Sequence, residues 1–329
     1  MGLPIGSGLK NSIVKILSSV TENRERGDAI IGKAIDSVAK REPAKINQYH
    51  QACKHICEAM PHAKSIDNFI DQHSDNKQIE LCGKLAIVRA ILEAESKSSL
   101  FVDPSNIYNK IKFEQLEDKW FTGFWKLLTE NCSLSDLDER FKSVAFVIFN
   151  YDRCIEHYLF HSLQNVYRIS ATDAARLVNC IEIYHPYGTV GSLPWQSTGN
   201  SILYGGTPSA AELLELVSKI KTFTEGTDEK SSNVDAIRTH MRMSPRLVFL
   251  GFAFHKLNMK LLLPTPREGR EITQQRVFAT AKNISISDIN DISGKLVNYC
   301  SIALNNVHIK ESMECNQLFY EYSQRLEFE

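Results

Sequence analysis

The chain has 329 residues, 43% hydrophobic and 23% charged, with 38 basic against 39 acidic side chains for a net charge of -1. This is ordinary globular usage and excludes a disordered, collagen-like or coiled-coil chain. At roughly 100–200 residues per domain, the length predicts about two domains or one enlarged by an insertion. The charge balance leaves no global basic field for nucleic acid or an anionic membrane. No stretch approaches the roughly 18–20 apolar residues of a membrane span. The N-terminus carries no basic n-region followed by an apolar h-region. The expectation is a cytoplasmic protein with no membrane partner and no direct nucleic-acid partner. Eight cysteines at 53, 57, 82, 132, 154, 180, 300 and 315 form no CxxC pair. Buried, reduced core thiols are expected.

The first two-fifths read as helical. Leu9, Ile13, Ile16, Leu17 and Val20 fall at helical spacing, and Leu81, Leu85, Val88 and Leu92 form an amphipathic stripe. Lys10, Lys15, Arg24 and Arg26 are expected on a solvated face. Ser65 to Phe69 reads as a helix start after the Pro61 break. Another helix is expected around Trp120, Phe124 and Trp125.

The character changes near residue 140. Val144 to Phe149, Cys180 to Tyr184, Leu247 to Phe252 and Val277 to Thr280 are short unalternating apolar runs. They predict strands buried on both faces of a parallel sheet. Helical patterns separate them at Arg153 to Gln164, Ala171 to Val178 and Ala211 to Phe223. Gly205-Gly206-Thr207-Pro208 predicts a turn, a cap and a first-turn proline for the last of these. Glu225 to Asn233 reads as a surface loop. The alternation argues for an α/β fold.

Ligands of open α/β sheets sit beyond the carboxyl ends of the strands. Asn150-Tyr151-Asp152-Arg153 follows the first run, His185-Pro186-Tyr187-Gly188-Thr189 the second, and Gly251-Phe252-Ala253-Phe254-His255 overlaps the end of the third. Taken singly these admit plainer readings: a helix cap, a hydrogen-bonded histidine beside a turn, a close backbone approach.

Together, FNYDRCIEHYL, YHPYGTVGSLPW and VFLGFAFHKLN resemble three successive motifs of the sirtuin-like NAD-hydrolysing family of bacterial anti-phage defence. GLPIGSGLKNSI resembles the stretch just after that family's first glycine-rich loop. AKSIDNFIDQH and ELCGKLAIVRAILEAE resemble a helical insertion found in some members. The resemblance implies a parallel Rossmann-like sheet flanked by helices, formed by residues 1–19 and 136–329, with residues 20–135 as the insertion. It also implies NAD as the substrate. Asn150 would orient the water and the nicotinamide ribose, and His185 would act as general base or ribose-hydroxyl partner. Asp152 would fix the geometry of the site. Gly6, Ser7, Tyr151, Gly188, Gly251 and Phe252 would line the dinucleotide, although packing is the stronger expectation for Phe252 and Phe254. The family's leading strand and Gly-Ala-Gly-x-Ser phosphate loop have no counterpart here, and Gly6-Ser7-Gly8 is not followed by a replacement pattern.

Cleaving the nicotinamide–ribose bond expels a leaving group that starts cationic, so no acid is needed to protonate it. A shaped pocket, a positioned water and one base suffice, unlike the paired carboxylates of ordinary glycosidases. An imidazole that titrates near neutrality suits the base. A competing site, His50, Cys53, Cys57 and His62, has soft ligands but helical spacing broken by Pro61. A packing face is expected there and no metal.

The leading expectation is therefore an NAD+ hydrolase acting as an abortive-infection effector, silent until triggered and regulated by self-association or by a partner sensor protein. A non-catalytic nucleotide-binding module and an NAD-dependent deacylase stay open as alternatives. The absence of a four-cysteine zinc ribbon counts against the deacylase. Hydrolysis and cyclisation of NAD begin with the same bond cleavage and share these residues.

Overall fold

A computed structural model describes residues 6–22, 28–106, 108–196, 201–222, 225, 233–263 and 272–328. In chain order these form α1 (Gly6–Glu22), α2 (Ala29–Val38), α3 (Pro43–Ala59), α4 (Ile66–Gln72), α5 (Lys77–Ser96), α6 (Trp120–Thr129) and α7 (Leu137–Lys142). There follow β1 (Ala145–Val147), α8 (Cys154–Tyr167), α9 (Ala171–Val178), β2 (Glu182–Tyr184), α10 (Ala210–Val217) and α11 (Val234–Met243). The remainder is β3 (Arg246–Phe249), α12 (Lys256–Leu262), β4 (Arg276–Ala281), α13 (Ile286–Cys300), β5 (Val307–Glu311), α14 (Cys315–Glu321) and α15 (Ser323–Leu326). The fold is α/β, with parallel strands flanked by helices. The chain divides into two compact units. One comprises residues 1–112, 148–179 and 185–228, and the other 113–147, 180–184 and 229–329. These boundaries differ from those read from the sequence.

The first unit is helical among the described residues and is built around α5. Its sequence predicts one apolar stripe, yet Ile79, Cys82, Leu85, Ala86, Ile87, Val88, Ile91 and Leu92 are all buried. The reason is that α1, α3, α4 and α10 each pack against it and cover most of its circumference. Each fully buried Leu or Ile there contributes roughly 1.5–3 kcal/mol. Gly83 lets α4 approach closely: a Cβ at this position would lie 2.6 Å from Ile70 Cδ1.

Local signals set the helix starts. Asp28 accepts from the Ile30 and Ile31 amides, Ser65 from Asn68, and Asn76 from Gln78 and Ile79, which satisfies first-turn donors that the helix itself leaves open. The start of α10 is capped by Ser209 in a reciprocal box with Glu212, two residues beyond the predicted Thr207 cap. The Ser–x–x–Glu spacing is the better signal. Lys10 is not on a solvated face, because its Nζ donates to the Met60 and Ala63 carbonyls at 3.2 and 2.7 Å and closes the end of α3. Arg24 and Arg26 lie outside the described residues. Glu225, expected in a surface loop, accepts from Lys84 Nζ at 3.0 Å and from the Thr222 amide at 2.6 Å.

All strands of the described residues belong to the second unit. They form two parallel ladders, β1-β2 and β3-β4-β5. Only β4, the middle strand of three, is buried along five consecutive residues. β1 and β2 are half-buried or exposed, so the expectation of burial on both faces holds for the centre and not for the two-stranded ladder. Strand β5 (VHIKE) is absent from the sequence expectations, because its polar residues give no apolar run. In the same unit, α6 packs on α14, where Trp120 stacks over Phe319 with ring centroids 6.3 Å apart.

Candidate active site

In the β1-β2 ladder Val147 pairs with Tyr184, the last residue of each strand. The segments leading to Asn150 and His185 therefore start from neighbouring positions. His185 stands at the centre of the site. Its Nε2 lies 2.9 Å from Glu156 Oε1, and its Nδ1 lies 3.3 Å from the Asn150 carbonyl oxygen. Its side chain is 10% exposed and that of Glu156 is 4% exposed. The Asn150 residue itself is exposed. Burial opposes a charged imidazole, but the Glu156 carboxylate, the Asn150 carbonyl and Asp152 outweigh it and raise the His185 pKa above its ordinary value.

Asp152 prepares this arrangement. Its Oδ1 accepts from the Cys154 amide at 3.1 Å, holding the first turn of α8. Burial raises its pKa, and nearby Glu156 pushes the same way while His185 pulls it down. Glu156 sits in that first turn and presents its carboxylate to the imidazole. The Glu156 Oε2 atom is buried and has no hydrogen-bond partner among the described residues. Sequence reasoning missed Glu156, although it stands four residues after Asp152 inside the apolar run CIEHYLF. A carboxylate at such a position needs a partner, and that was the available signal.

The other predicted residues have different surroundings. Tyr151 is 4% exposed and part of the first unit's hydrophobic core, with its hydroxyl bonded to the Asp67 carboxylate. Burial drives its phenol pKa well up. Gly188 has φ +78°, and a Cβ there would lie 1.8 Å from the Lys219 carbonyl oxygen. The close approach it permits is therefore to the protein's own backbone. Gly6 and Ser7 are the first residues of α1 and otherwise lie outside the described residues.

Gly251 and Phe252 belong to the second unit. Gly251 adopts φ +59° and donates its amide to Thr280 Oγ1 at 2.8 Å. Phe252 packs with Phe249 and Phe254, with ring centroids 5.4 and 5.1 Å away.

Arg153, between Asp152 and α8, is 1% exposed and pairs with fully buried Glu95. Its Nε and Nη2 meet the two carboxylate oxygens at 3.1 and 2.5 Å. Its Nη1 donates to the Ile202 carbonyl at 2.7 Å and its Nη2 to Leu203 at 3.2 Å. The Gly205 amide donates to Glu95 Oε2 at 2.9 Å. This clasp ties α5, the start of α8 and the 202–205 loop together.

Cys53 and Cys82 are both buried. Contact with Cys53, reinforced by burial, pushes the Cys82 thiol pKa well up, which keeps the Cys82 thiol neutral. No group of three or more His, Cys, Asp or Glu among the described residues is placed to hold a metal ion. No helix among the described residues is long and apolar enough to cross a membrane. Comparisons of the chain with protein-family models, with curated proteins and with solved structures give no match.

Proposed function

We propose that the chain is an NAD+ hydrolase that cleaves the nicotinamide–ribose bond. One observation carries the reading. The Asn150 backbone carbonyl and the Glu156 carboxylate both contact the His185 imidazole, and Asp152 holds the start of the helix that carries Glu156. Loss of nicotinamide leaves an oxocarbenium-like ribose, which water must capture on a defined face. The exposed Asn150 amide orients that water and the ribose. His185 accepts a proton from the water or a ribose hydroxyl, a role that typically contributes 10²–10⁴ in rate. Asp152 holds the start of α8 and adds negative charge beside the ring.

In this reading the enzyme is an anti-phage abortive-infection effector. Depleting NAD halts the infected cell, so activity must be withheld until self-association or a partner sensor releases it. The test is nicotinamide release from NAD+ by the purified chain and by Asn150→Ala and His185→Ala. Both variants should lose turnover, and unchanged consumption in both removes the mechanism.

One observation favours the non-catalytic module instead. Tyr151 and Gly188 are engaged by contacts within their own unit. That reading expects ADP-ribose to bind without turnover of NAD+, which calorimetry on the same sample would detect.

A further inference from the structure

We infer that Glu156 is the positioning residue of the site: its carboxylate holds the His185 ring through Nε2 and so makes Nδ1 the nitrogen that meets substrate. This role rests on the reading of His185 as the base of NAD+ cleavage and supplies the part that this reading leaves open.

Donor and acceptor chemistry assigns the ring protons. An ionised carboxylate only accepts, so the Nε2 that faces Glu156 Oε1 at 2.9 Å carries the hydrogen. A backbone carbonyl also only accepts, so the Nδ1 contact with Asn150 requires a second hydrogen and hence an imidazolium. The two contacts are unequal. The Nε2 bond has ordinary length and is partly buried. The Nδ1 contact, at 3.3 Å, exceeds the usual range of about 2.7–3.2 Å and lies on the exposed side. The weak, exposed contact is the one an arriving hydroxyl displaces.

Proton balance is set by this arrangement. Neutral His185 keeps its hydrogen on Nε2 and offers the Nδ1 lone pair. When a water or ribose hydroxyl is deprotonated, its proton goes to Nδ1, and the O–H electron pair forms the bond to the ribose carbon or stays on the oxygen. The resulting imidazolium is stabilised by Glu156, which does not itself need to take the proton. The charged and titratable groups facing the ring among the described residues are Glu156 on α8 and Asp152 just before it, joined by the Asn150 carbonyl. All three favour the imidazolium. His185 is therefore available as a base only above its raised pKa, and the acid limb of the rate profile lies higher than for a free imidazole.

The experiment combines an NMR titration of the His185 imidazole with the pH dependence of NAD+ cleavage on the full chain. The resonance is assigned by its loss in His185→Gln. In Glu156→Gln the His185 pKa should fall by at least about one unit, because the carboxylate charge is gone. The ring should also shift toward the Nδ1–H tautomer, since the Gln amide donates to Nε2. The kcat should drop by about 10²–10⁴, with KM little changed, and the acid limb should move to lower pH. Glu156→Asp should retain the Nε2–H tautomer and part of the activity, and it decides the matter if the Gln variant does not fold. An unchanged His185 pKa and tautomer in Glu156→Gln overturns the inference. If the wild-type chain does not cleave NAD+, the hydrolase reading falls, while the titration alone still decides whether Glu156 positions the ring.

Discussion

Glu95 and Glu156 each hold a basic side chain inside the first unit, and the two pairs are built differently. Both Glu95 oxygens are occupied, by the Arg153 guanidinium and the Gly205 amide, and Arg153 spends its remaining hydrogens on the Ile202, Leu203, Gly191 and Ser192 carbonyls. Glu156 has one oxygen on His185 and one without a partner among the described residues, and the far nitrogen of that His185 meets the exposed Asn150. A closed set of contacts fixes backbone, because nothing in it can be exchanged. An open set can trade one contact for a ligand. Arg153 and Glu156 stand three residues apart, yet the first belongs to a closed set of contacts and the second to an open one.

The most damaging challenge to this contrast is Arg153→Met. Removing one member of a buried pair leaves an uncompensated charge and should cost about 3–5 kcal/mol of stability, read as a fall in the urea midpoint with unchanged slope. A much smaller loss would mean that the clasp is not what holds the 202–205 loop.

Acid separates the two pairs next. Burial lowers the His161 pKa to about 4 and takes His157 well below its ordinary value, and both sit on α8 beside the clasp. Each has a folded pKa below its unfolded one. Their contribution is therefore complete above about pH 6.5 and is lost as pH falls from there through the folded values. For His161 alone the loss is on the order of 3 kcal/mol. His185 has the opposite sign, because its folded pKa is raised. Its contribution is full below about pH 6.5 and disappears as pH rises through the folded value. The signed contribution of His161 predicts that His161→Gln should lose less of its denaturant midpoint between pH 7 and pH 5 than the wild-type chain.

The smallest change in stability is expected at Asn150, the exposed residue of the open pair. Asn150→Ala should change stability by less than about 0.5 kcal/mol while removing NAD+ turnover, as differential scanning fluorimetry beside the cleavage assay would show.

Much of the fold was legible because local physics wrote it. Ala171–Val178 appears as predicted, between the Ser170 cap and the turn at Asn179. The four apolar runs all became parallel strands. What escaped was non-local. Arg153 and Glu95 are far apart in sequence, and nothing near either announces the other. Tyr151 sits among motif residues, but its hydroxyl is taken by Asp67, a residue of α4. Strand β5 is recruited by the register of β4, residue by residue from Val277 against Val307, and not by its own composition. Asn150, Asp152 and His185 stand out in the sequence because they follow strand runs. Glu156 was missed because it stands inside a helix, where a glutamate is commonplace until its burial is known.

The Gly205 amide, donated to Glu95 in a buried setting, has a kinetic meaning as well. Its hydrogen can leave for solvent only when the clasp opens. Its exchange rate in deuterated water is therefore a clock, already present in the chain, for how often the 202–205 loop lets go of α5.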